Sequence, residues 1–257
     1  MYSTRITTVH HGTAQFFLLP SVMMLTAILA VLRSPDYLVI YLSSGILVGI
    51  LEIGLSLTGW RTSRVTVFGK ELAAVPGGAM RGFIEAPGIA VPAFFMADLL
   101  VAGQHALAIA VPTILIGIFA LYSSITDWSQ LKRLKEGEQP IHIRRKMTRP
   151  AVVMVVAVVD VICLSSLFMM PDPYRTHGFF FLLASFALTA LFFGINYSFG
   201  VRIIQQYNYE TNKYYKSGTL FSVAAFIYDS FYEMSLFNMY YYLIPYMAGL
   251  FTYSTIS

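Results

Sequence analysis

Residues 38–59 read LVIYLSSGILVGILEIGLSLTG, an apolar run interrupted by a single ionisable side chain, Glu52. About 20 apolar residues in helical form match the thickness of a bilayer core. The pattern recurs along the chain, and spans are expected at 14–32, 38–59, 86–103, 106–126, 150–170, 178–199 and 219–243. The composition agrees, with 57% hydrophobic and 12% charged residues over 257 positions and a mean hydropathy of +0.66. The fold class is therefore all-α: a polytopic membrane helical bundle of about seven transmembrane helices, a single integral membrane domain over 1–257 with no room for a separate soluble domain. Residues 219–257 can form one helix or two.

The basic residues set the orientation. With a cytoplasmic N-terminus, Arg5, Arg61, Arg64, Lys70, Arg81, Lys132, Arg133, Lys135, Arg144, Arg145, Lys146, Arg149, Arg202, Lys213 and Lys216 fall on the cytoplasmic side, against Arg33 and Arg175 on the other. Such asymmetry is the positive-inside signal, and it requires an odd number of spans. The net charge of +4 is thus a property of one membrane side, concentrated in 132–149, and points to anionic lipid rather than to nucleic acid. The first span is read as a retained anchor, since it is too long for a signal peptide and lacks a small-residue cleavage site. The lone Cys163 excludes an intrachain disulfide and a cysteine metal cluster.

Five carboxylates, Glu52, Asp98, Asp160, Asp229 and Glu233, lie inside apolar stretches that contain no Lys or Arg. A charge at membrane depth is costly, so such acids face a protein interior or wet cavity and are paired or protonated. Without a cation in the spans, protonation is the expectation. On the predicted topology Glu52 is roughly 10 Å from the cytoplasmic end of its span, and Asp98, Asp160 and Asp229 are roughly 15–18 Å from theirs, which puts four acids in one layer near the midplane. Asp229 and Glu233 are four apart and share a helix face, with Tyr228 and Tyr232 beside them as hydroxyl and aromatic partners. Asp98 and Asp160 are equally readable as neutral packing elements.

Residues 76–92, PGGAMRGFIEAPGIAVP, crowd glycine and proline around Glu85. They are expected to break the helix and to form a pocket wall or re-entrant loop, since irregular backbone near a membrane needs protein or water against it. Arg81 and Glu85 pair if the segment is locally helical; an ordinary solvated turn is the alternative. The glycine spacing matches neither a Walker A motif nor a dinucleotide fingerprint. The tyrosines between Tyr207 and Tyr215, and Tyr240 to Tyr242, fit interfacial belts.

Absences narrow the chemistry. His10, His11, His105, His142 and His177 are read as scattered over termini and loops, without the clusters of a di-iron or haem protein. No span carries a Schiff-base lysine, no aspartate-rich motif suits a Mg²⁺-diphosphate, and no G-x-S-x-G elbow is present. No metal or cofactor is expected. Asn196-Tyr197-Ser198 spells a sequon inside a span, where it is silent.

Acids held neutral in a dry, aromatic-rich pocket suit general acid catalysis on an epoxide or alkene of a lipophilic substrate entering from the bilayer. With Glu52 in an early span and Asp229 in a late one, the chain resembles the small integral-membrane terpene cyclases and epoxide-opening enzymes of fungal meroterpenoid and polyketide pathways. The resemblance implies acid-catalysed cyclisation or epoxide opening without a metal. Glu52 and Asp229, with Glu233, would be catalytic, and Arg81, Glu85, Asp98, Asp160, Tyr228 and Tyr232 would line the substrate pocket. It also favours the endoplasmic reticulum over a bacterial inner membrane. The competing readings are a proton-coupled transporter or channel in which the acids form a relay, and a non-catalytic membrane subunit whose acids contact partner helices.

Overall fold

The computed structural model describes residues 2–8, 13–58, 66–68, 70–131, 142–146, 150–208, 211 and 213–252. Arg61, Arg64, Lys132, Arg133, Lys135, Arg149, His10 and His11 lie outside the described residues, and so do the side chains of Tyr232 and Glu233. Helices dominate: α1 (Thr13–Leu32), α2 (Asp36–Leu57), α3 (Ala74–Val101), α4 (His105–Leu131), α5 (Pro150–Met169) and α6 (Tyr174–Ser198). The last rod joins α7 (Thr219–Ile227), a π-helical segment (Tyr228–Ser235) and α8 (Leu236–Met247) without a break. One continuous rod with a π-helical middle therefore occupies 219–247.

Four helices, Asp36–Leu57, Ala74–Val101, His105–Ser129 and Tyr174–Ser198, are long and apolar enough to cross a membrane. On α4 the buried stripe is Ala108, Ile116, Ala120, Ser124 and Asp127, while Ile109, Ile114, Ile118, Leu121 and Ile125 are exposed. Apart from Ile116, this buried stripe of α4 is small or polar while large aliphatic side chains face outward, the reverse of a helix on a water-soluble domain.

The central element is α3, and it corrects the expected break at 76–92. The helix begins at Ala74 and continues through Pro87 and Pro92 to Val101. Tertiary packing overrides local propensity here, because neighbouring helices cover the backbone that the prolines leave without amide donors. The glycines serve close approach: α2 and α3 cross antiparallel with Gly45 and Gly49 against Gly82. A β-carbon built on Gly82 would lie 2.4 Å from the Gly49 Cα, and one on Gly78 would lie 2.9 Å from the Ile53 amide nitrogen. Two small-x-x-x-small pairs, one on each helix, thus bring the backbones together.

Around this axis a buried aromatic and aliphatic cluster includes Tyr37, Phe94, Phe181, Leu188, Met239, Tyr241 and Tyr242. The carboxylate of Asp36 closes one end of the bundle by accepting hydrogen bonds from the Thr252 amide (2.8 Å) and hydroxyl (2.9 Å). In the α5–α6 turn, the Thr176 hydroxyl, helped by Arg175, holds the Asp172 carboxyl below the usual carboxylate range.

The sequence reading did not anticipate strands. β1 (Tyr2–Thr8), β4 (His142–Lys146), β5 (Arg202–Asn208) and β6 (Lys213–Lys216) form an antiparallel sheet in the order β4-β1-β5-β6, and β2 (Thr66–Val67) pairs with β3 (Lys70–Glu71) in the α2–α3 connection. The sheet unites the segment before α1, the α4–α5 connection and the α6–α7 connection at one end of the bundle.

Candidate functional site

The apolar run around Glu52 carries that carboxylate to the α2–α3 crossing. Because Gly78 and Gly82 let the helices approach, Arg81 between them reaches across. Its Nη1 is 3.3 Å from Glu52 Oε2 and its Nε is 3.2 Å from Glu85 Oε1. Arg81 is the largest fully buried side chain among the described residues, at 1% exposure, and Glu52 is 3% exposed. Glu85 is partly exposed, and Asp127, buried on α4, is within Coulombic reach of it. Two carboxylates, one from α2 and one from α3 itself, thus meet one guanidinium, and Asp127 on α4 faces Glu85. The expectation that no cation is at hand for Glu52 is therefore corrected: Arg81 stands against it from α3, in the segment read as a loop.

Further along α3 a second cluster is completely enclosed. Asp98 Oδ2 accepts a hydrogen bond from the Tyr37 hydroxyl, and Asp98 Oδ1 is 2.8 Å from His177 Nε2. The three side chains are at most 3% exposed. The imidazole is stacked on Tyr242 (5.6 Å between centroids, 17° between planes) and meets Phe94 edge-on at 4.7 Å. His177 was read as a loop residue; it belongs to the first turn of α6, and the helix carries it inward. Seventeen residues separate Arg81 from Asp98, about 25 Å at 1.5 Å per residue. The two clusters occupy opposite ends of α3, so the expected single midplane layer of acids does not form.

The third acid, Asp229, is the second residue of the π-helical segment and is fully buried. Its Oδ2 accepts from Arg202 Nη1 at 3.2 Å, and the Arg202 guanidinium lies 3.3 Å above the Phe193 ring centroid. Arg202 is the first residue of β5, so the cation comes from the sheet rather than from a span. Cation–π and ionic contacts together hold it at the bundle end. The wider π turn, which recurs at functional positions in helices, changes the facing of the residues that follow Asp229.

Asp160 differs from these. It is buried on α5, and its Oδ2 has no hydrogen-bond partner among the described residues. Nearby, the Tyr240 hydroxyl donates to the Val159 carbonyl at 3.0 Å and the Cys163 thiol to the Leu236 carbonyl at 3.4 Å. Tyr228 is half-buried at the start of the π segment. Among the described residues, no group of three or more His, Cys, Asp or Glu is placed to hold a metal ion.

The sequence-predicted site residues therefore divide into separate places. Glu52, Arg81 and Glu85 come together; Asp98, Asp160 and Asp229 each stand elsewhere, and Glu52 and Asp229 have different arginine partners. Tyr37, His177, Arg202 and Asp127 were missed. Arg81 and Glu85 at i, i+4 were the readable sign of a helix through 76–92, whereas nothing local marks Arg202 as the partner of Asp229. Comparison of the chain with protein-family models, curated proteins and solved structures finds no match.

Proposed function

We propose that the protein is a proton-coupled membrane transporter whose substrate path follows α3. The observation that carries this reading is the pair of closed charge clusters near the two ends of that helix, with Pro87 and Pro92 between them. A carrier needs one closure on each side of a central path, and residues that exchange protons or partners as each closure opens. Arg81 with Glu52 and Glu85 supplies one closure; Asp98 with Tyr37 and His177 supplies the other. The prolines remove backbone hydrogen bonds midway, which is where a helix bends most cheaply.

Seven spans with a cytoplasmic N-terminus belong to the same proposal. The sheet supports it, because β1 pairs with both β4 and β5, so an even number of crossings separates each pair of strands. Acid-catalysed cyclisation, as in the membrane terpene cyclases, is the second reading and is favoured by Asp160, a buried carboxyl whose Oδ2 has no hydrogen-bond partner among the described residues. Glu52 and Asp229 suit it less, because each is paired with an arginine.

The test is solute-driven proton movement. Purified protein in liposomes containing a pH-sensitive dye is challenged with a panel of amino acids, sugars and organic cations. At least one solute should change the lumen pH, and the change should be lost in Asp98→Asn at equal reconstitution. A wild type that moves protons with no solute, alongside a lipophilic product made by wild type and lost in Asp160→Asn, would replace transport with acid catalysis.

A further inference from the structure

After α8 the chain turns back on the Asp98 cluster. The helix ends at Met247; the Gly249 amide donates to the Tyr246 carbonyl and the Leu250 amide to the Pro245 carbonyl, both at 3.0 Å. These two bonds form a Schellman cap, and Gly249 takes the left-handed conformation that the cap needs, with φ at +65°. The reversal is therefore built into the helix end.

Beyond the turn, Phe251 is 9% exposed and rests on the two rings that flank the His177 imidazole. Its ring centroid is 6.0 Å from that of Phe94 and 5.2 Å from that of Tyr242. Thr252 fastens the end of the turn: its amide and hydroxyl both donate to Asp36 Oδ1, and Asp36 immediately precedes Tyr37, whose hydroxyl donates to Asp98. Ala248, Gly249 and Leu250 between these points and α8 are exposed. One phenyl ring and one carboxylate thus hold the segment, and a segment held by so few contacts opens locally far more often than the bundle unfolds.

We propose that residues 248–252 are a lid on the Asp98 closure, and that His177 and Asp98 meet water when Phe251 and Thr252 lift together. The cover stands on these contacts alone, whereas its use as a gate rests on the transport reading. The intact chain in a neutral detergent is treated with diethyl pyrocarbonate, which acylates accessible neutral imidazoles, and the rate at each histidine is read by peptide mass spectrometry. His105, exposed at the start of α4, is the internal reference. In the wild type His177 should react roughly a hundredfold more slowly than His105. Phe251→Ala and Asp36→Ala should each speed His177 about tenfold or more without changing His105, and the double variant should add little, because both release one segment. Leu250→Ala should leave the rate unchanged. Gly82→Ala lowers stability from the far end of α3 and should leave His177 protected; equal acceleration there would mean general unfolding and overturns the lid. Protection undiminished in a folded Phe251→Ala, or a wild-type His177 as reactive as His105, overturns it too. In the liposome assay Phe251→Ala should make the lumen pH change without solute. A lid that opens to the reagent yet leaves that assay unaltered overturns the gate and supports the cover alone, and the labelling decides the cover even where no solute moves protons.

Discussion

Replacing Arg81 by methionine tests whether the α2–α3 cluster is an ion pair that the fold must satisfy. Methionine keeps an unbranched chain of similar reach, so the packing loss is small, and the dominant change is electrostatic. Glu52, 3% exposed, loses the cation 3.3 Å away and is left as a buried carboxylate, whereas Glu85 is exposed enough to hydrate. Removing one partner of a buried pair costs ~3–5 kcal/mol. For a chain of this size that corresponds to a fall in melting temperature of roughly 6–20 °C. Adding Glu52→Gln to Arg81→Met removes the stranded charge, and the double variant should recover to within ~2 kcal/mol of wild type. Reversible unfolding in mixed micelles, followed by far-ultraviolet circular dichroism, gives the three differences and hence the coupling. A single Arg81→Met costing under ~1 kcal/mol, or a double variant no better than the sum of the singles, refutes the pairing; the estimate is then wrong at its electrostatic root.

Two other changes probe packing and the second cluster by the same unfolding measurement. Gly82→Ala should destabilise by ~3 kcal/mol or more, because the new methyl meets Gly49 backbone at 2.4 Å, while Gly117→Ala, where nothing lies within 4 Å, should stabilise by ~0.5–1 kcal/mol. Tyr37→Phe keeps the ring against Phe94 but removes the hydroxyl donated to Asp98, and should cost ~1.5–3 kcal/mol; an effect near zero would mean the carboxylate does not depend on that donor.

The helices were legible because the apolar runs are long and the chain is nearly free of charge between its loops. What the sequence concealed was α3. Gly77, Gly78, Gly82, Pro87 and Pro92 read locally as breakers, yet in the bundle the glycines allow contact with α2 and the prolines are covered by neighbours. Misplacing that helix misplaced Arg81, and with it the partner of Glu52. The acids themselves were found, since an ionisable group in an apolar run stands out at once. Their partners were not: His177 and Arg202 sit at helix or strand starts that look like loop sequence, and they are 79 and 27 residues from Asp98 and Asp229. The sheet was hidden for the same reason, because β1, β4 and β5 are short and their pairing is wholly nonlocal.

Three buried acids, two held by arginines and one by Tyr37 and His177, are an expensive way to stabilise a bundle. Well-packed apolar residues in their places are often neutral or stabilising, by 1–4 kcal/mol where that has been measured. Stability alone therefore does not account for Glu52, Asp98 and Asp229. Each pair also joins elements that packing alone would leave free to slide: α2 to α3, α3 to α6, and the sheet to the π-helical segment. An ionic contact fixes one register and has a second discrete state when its proton or partner changes, whereas an apolar contact does not. Because two of the three contacts act on opposite ends of α3, with the prolines between, opening one closure need not open the other. Two separate closures are the part of alternating access that the proposed transport reading draws on.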